Sequence, residues 1–97
     1  MSQLLEKIVI PKKFTCTMGG AKEVLIYNDE VILGSVTLVY KEITGFGPTK
    51  ENDGFYVELK NDKIISMHIK GSGFFNGPRA RALGRKIFSK IYPLVGK

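Results

Sequence analysis

Residues 55–92 read FYVELKNDKIISMHIKGSGFFNGPRARALGRKIFSKIY, and the spacing of their apolar residues changes partway along. Up to Lys70 the period is two. Phe55, Val57 and Leu59 share one face, and Ile65, Met67 and Ile69 continue it across an Asn61-Asp62 turn. Tyr56, Glu58, Ser66, His68 and Lys70 point the other way. After Asn76 the period is helical: at about 100° per residue, Ala80, Leu83, Ile87 and Ile91 fall in one stripe, with Gly84 and Phe88 on its flank. Asn76-Gly77-Pro78 supplies a cap and a first-turn proline, and Pro93 opposes continuation past Tyr92. A β-hairpin leading into one amphipathic helix over 78–92 is therefore the expected end of the fold.

The upstream sequence is strand-like. Phe14, Cys16 and Met18 alternate with Thr15 and Thr17, and Gly19-Gly20 turns the chain into Glu23–Tyr27. Asn28-Asp29 turns it again into a β-rich run from Val31 to Ile43, in which Gly34 reads as a bulge or bend. Residues 45–54, GFGPTKENDG, read as the longest loop. Leu4–Ile10 is a strand or a short helical turn, ended by Pro11 in either case. The expected class is α+β: an antiparallel β-meander of about five to six strands packed against one C-terminal amphipathic helix. Residues 1–97 form one domain, mostly β hairpins over 1–70.

Composition agrees with a folded single domain. Apolar residues make up 43% and charged residues 25%, and a chain of 97 residues buries a modest core without staples. A single cysteine and a single histidine exclude an internal disulfide and a closed Cys/His zinc set. The N-terminal stretch MSQLLEKIVIPKK is interrupted by Glu6 and Lys7, unlike a signal peptide, and no apolar run is long enough to span a bilayer. A cytoplasmic location is expected, with no cofactor and no metal.

Charge is distributed unevenly. From Lys63 to Lys97 there are eight basic residues and no acid, so this third of the chain carries more than the whole net charge of +6. Arg79, Arg81, Arg85, Lys86 and Lys90 lie opposite the apolar stripe of the expected helix. A helix starting near Pro78 places Arg79 and Arg81 in a first turn that favours acids, which points to recruitment of an anion. A solvated face normally mixes both signs of charge, and this one does not. Phe74 and Phe75 in the preceding glycine-rich loop either stack on bases or anchor the loop, and the core role is expected of at least one.

Gly71-Ser72-Gly73 and the basic turn Arg79-Ala80-Arg81-Ala82 resemble the second half of a double-stranded-RNA-binding domain, where a strand pair leads through Gly-x-Gly into a helix with a basic first turn. The resemblance is confined to the last third of the chain. Strand-like sequence stands where that family has its N-terminal helix, and Phe74-Phe75-Asn76-Gly77-Pro78 replaces its run of lysines, so the family is not assigned.

No enzymatic arrangement emerges. His68 has Ser66 and Lys70 at two-residue spacing, but no nucleophile elbow or acid is signalled, so it reads as a surface residue. Gly45-Phe46-Gly47 is neither a P-loop nor a dinucleotide fingerprint. Cys16 reads as buried and inert, and the acids at 29–30 and 51–53 as turn residues.

The expected function is non-enzymatic nucleic-acid binding, with RNA or single strands favoured over sequence-specific duplex reading. Arg79, Arg81, Arg85, Lys86 and Lys90 would contact phosphates, with Lys70 and Tyr92 beside them. Tyr56, His68, Phe74 and Phe75 offer planar faces to bases. The alternative is a small interaction module, an inhibitor or regulator of the antitoxin or phage counter-defence type, docking on an acidic protein surface. An anionic bilayer fits less well, because the apolar stripe is needed to cover the sheet. Edge strands leave a route to homodimerisation by strand pairing.

Overall fold

The computed structural model describes residues 2–96. It is α+β, with eight antiparallel strands in two four-stranded sheets and one C-terminal helix. The strands are β1 (Leu4–Val9), β2 (Phe14–Cys16), β3 (Glu23–Tyr27), β4 (Glu30–Leu33), β5 (Val36–Val39), β6 (Ile43–Pro48), β7 (Gly54–Leu59) and β8 (Ile64–Gly71). A 3₁₀ turn, Tyr40–Glu42, joins β5 to β6, and helix α1 runs over Gly73–Val95.

The first sheet has the order β1-β3-β4-β5 and the second β2-β8-β7-β6. The chain thus leaves the first sheet after β1, adds β2 to the far side of β8, and returns to the first sheet for β3. Hairpin reading alone gives a single curved meander. The two-sheet division comes from the long-range pairing of β2 with β8, in which Phe14 faces Gly71 and Cys16 faces Ile69.

One core fills the space between these layers. Ile8, Val24, Ile26, Val31, Leu33 and Leu38 from the first sheet meet Cys16, Phe55, Val57, Met67 and Ile69 from the second. The alternation expected for the β7–β8 hairpin holds: Phe55 pairs with Met67 and Val57 with Ile65, and Tyr56, Glu58 and Ser66 are exposed. Helix α1 packs on β6, β7 and β8 with Ala80, Gly84, Ile87 and Ile91 buried. Each fully buried isoleucine contributes about 1.5–3 kcal/mol by leaving water.

Three local expectations change. Gly34 is not a bulge but the first residue of a two-residue hairpin turn, with φ +60. A Cβ there would lie 2.2 Å from the Gly19 carbonyl oxygen, so only glycine fits between the two turns. The 45–54 segment is not one loop, because Gly45-Phe46-Gly47-Pro48 belongs to edge strand β6. An edge position tolerates the missing proline N–H, and Tyr56 of β7 lies across Gly47 where a side chain would otherwise stand.

The helix is longer than expected at both ends. Its first turn forms on 73–76, upstream of Pro78, so Pro78 lies inside the helix. Gly71 makes this possible, since a Cβ there would lie 2.6 Å from the Asn76 carbonyl oxygen. At the other end Leu94 and Val95 pack against the core and carry the helix past Pro93. Tertiary packing outweighs the roughly 3 kcal/mol that an interior proline costs. Arg79 and Arg81 consequently lie beyond the first turn, where the helix dipole does not disfavour them.

Candidate nucleic-acid interface

The surface of α1 is organised in two basic rows. At about 100° per residue, Arg79, Lys86 and Lys90 lie along one flank and Arg81 with Arg85 along the other. Between them run Pro78, Ala82 and Ser89, which are small and exposed. All five cations are exposed, but they are not equivalent. Lys90 reaches Glu6 of β1 at 3.4 Å. Arg79, Arg81, Arg85 and Lys86 have no carboxylate within 4.0 Å among the described residues.

Lys70, expected to extend this patch, is held elsewhere. Its ammonium lies 2.9 Å from Asp53 Oδ2, and His68 Nδ1 lies 2.8 Å from Asp53 Oδ1. Asp53 is almost fully buried, in the short loop between β6 and β7. The Thr49 hydroxyl donates to its carboxylate at 2.7 Å and accepts from its backbone N–H at 3.0 Å. Its carbonyl accepts from the Ile69 N–H at 3.0 Å. Burial alone would push the Asp53 carboxyl up, but Thr49, Lys70 and His68 together bring it down to about 2. The charge is stabilised because every oxygen has a donor.

This node corrects two expectations. His68 is not a free surface ring: its side chain is 22% exposed and its Nδ1 is engaged by Asp53, which leaves it poorly placed to stack on a base. Asp53 is not merely a turn residue; it ties the β6–β7 loop to β8. Glu51, Asp53 and His68 bring three ligand-type atoms within 4.8 Å of one another. Lys70 Nζ already supplies the positive charge at Asp53, so the group reads as an ion-paired support rather than a metal centre. Beside it lies a cleft of about 170 Å³ lined by Glu51, Lys70, Gly71, Gly77 and Arg81. The role of Asp53 is not legible in the sequence because its charged partners, His68 and Lys70, lie on β8, and only Thr49 is local to it.

The aromatic candidates separate as well. Phe74 is 92% and Phe75 78% exposed, the two most exposed large apolar side chains among the described residues, so neither anchors the core. Tyr92 is also exposed, but its ring leans on Phe88 and Phe46, with centroids 5.4 and 6.4 Å away. Tyr56 covers Gly47 on the far side of the second sheet and lies outside the helix surface. Cys16 is buried, its thiol pushed up by burial, and it donates weakly to the Met18 carbonyl. No helix among the described residues is long and apolar enough to cross a membrane. No family model, curated protein or solved structure matches this chain.

Proposed function

We propose that this chain binds nucleic acid through the outward face of α1, without catalysing a reaction on it. The observation that carries the proposal is the set Arg79, Arg81, Arg85 and Lys86: four exposed cations on one helix, none with an intramolecular carboxylate partner among the described residues. Three lysines elsewhere in the fold or on the helix are paired, Lys7 with Glu23, Lys90 with Glu6 and Lys70 with Asp53. The four open cations of α1 are set apart by standing close together on one element that contains no acid. Cations left open on a rigid element suit a polyanion with regularly spaced charges. The neutral lane of Pro78, Ala82 and Ser89 between the two rows supports a backbone lying along the helix, with phosphates reached from both flanks. That lane also disfavours a bilayer, because beyond Phe75 it offers no large apolar group to insert.

The test is fluorescence anisotropy with labelled RNA and DNA. Arg81→Glu combined with Arg85→Glu should abolish binding while circular dichroism stays unchanged, since both side chains are exposed. Binding unaltered by this pair would reject the surface. A preparation free of nucleic acid that captures one acidic protein stoichiometrically would instead support the inhibitor or regulator reading.

A further inference from the structure

The pairing of β2 with β8 brings together two segments far apart in the chain. Phe14 faces Gly71, so the next residues outward are Lys13 on one strand and Ser72 on the other. Lys12 and Lys13 sit on a tight turn closed by the Phe14 N–H donating to the Pro11 carbonyl at 2.9 Å. Ser72 leads directly into Gly73, Phe74 and Phe75 at the start of α1. One end of the molecule thus gathers two lysines and two phenylalanines, all exposed. Lys12 and Lys13 have no carboxylate within 4.0 Å among the described residues, and Lys13 Nζ lies 5.5 Å from the centre of the Phe14 ring.

The phenylalanines are held in place by backbone packing, although their side chains have almost no cover. Gly73 takes φ +88, which turns the chain from strand into helix, and Gly71 lies directly against the Asn76 carbonyl. An exposed phenylalanine forgoes the stabilisation of burial, and here two stand in succession at the start of the helix, about 100° apart around its axis, each offering an uncovered ring. At about 100° per residue Phe74 continues the flank of Arg81 and Arg85, Phe75 lies towards that of Arg79 and Lys86, and the β2–β8 register sets the lysine turn beside Ser72, just before them.

Resting on the reading of α1 as a nucleic-acid surface, we propose that this end selects single strands. Phe74 and Phe75 stack unpaired bases while Lys12 and Lys13 hold the phosphates that accompany them. In a duplex the base faces are occupied by their neighbours, so the rings gain nothing from a paired partner. In a single strand each base has an open face, and stacking is tolerant of sequence. The cations of α1 bind either form, whereas the aromatic end distinguishes them.

The experiment compares a single-stranded oligonucleotide of about twelve nucleotides with a duplex of the same length. Phe74→Ala with Phe75→Ala should weaken single-strand binding by roughly ten-fold or more and leave duplex binding within about two-fold. Lys12→Gln with Lys13→Gln should make the single-strand salt dependence shallower by about 1.4 in log–log slope. Equal losses on both forms, or no loss, would overturn the selectivity while an intact effect of Arg81→Glu/Arg85→Glu preserved the role of α1. If the wild-type chain bound neither form, both readings would fall. Phenylalanine-dependent binding to phosphatidylserine vesicles in that case would assign the same end to a bilayer.

Discussion

Asp53 shows how a single buried charge can hold several segments together. Its carboxylate meets Thr49, His68 and Lys70, and its carbonyl meets the Ile69 N–H, so loop and strand are joined through one residue. Its folded pKa of about 2 lies below the ordinary 3.8, so its stabilisation is complete above about pH 4 and lost as pH falls through about 2. The difference corresponds to about 2 kcal/mol. Asp53→Ala should lower unfolding free energy at pH 7 by about 2–3 kcal/mol in urea titrations, moderated because Lys70 can return to water. Asp53→Asn should lose less and should flatten the decline in stability between pH 4 and pH 2. An unchanged acid transition in that variant would show that the charge contributes little.

At the scale of the element, α1 owes its position to Gly84. A Cβ there would lie 1.9 Å from the Asp53 carbonyl oxygen and 2.9 Å from the Gly54 nitrogen, so the helix rests on the backbone that carries the buried charge. Gly84→Ala improves helix propensity by about 1 kcal/mol yet should destabilise the protein by about 1–3 kcal/mol net, read from thermal or chemical unfolding, because neither backbone can yield. A stabilised variant would contradict this packing. The apolar stripe through Ala80, Ile87 and Ile91 was legible from spacing alone. The ends of the helix were not. Pro78 and Pro93 are strong local signals, and they were outweighed by contacts from Gly71, Leu94 and Val95 that no local pattern encodes.

For the molecule as a whole, charge placement follows from topology. The first two thirds of the chain carry every acid, yet Lys12 and Lys13 join the basic end because β2 crosses to the second sheet. With the four open cations of α1 they make six, and about 0.7 counterions released for each predicts a slope near −4 for log affinity against log salt with single strands. A slope near −1 would mean that most of these residues stay clear of the backbone. The hairpins and the basic helix could be read from the sequence, because both are local. The sheet exchange could not, since a three-residue strand gives too little pattern to name its partner.

That exchange has a kinetic side. Thr17 and His68, 51 residues apart, are joined by hydrogen bonds in both directions where β2 meets β8. Closing so long a loop costs more chain entropy than closing a hairpin, so this pairing is expected to form after the local hairpins. The lysine turn and the two exposed phenylalanines are brought to one end of the molecule by this pairing, not by any local element. A partly folded chain carries the same charges as separate groups, so the single-strand recognition proposed for this end would require the completed fold.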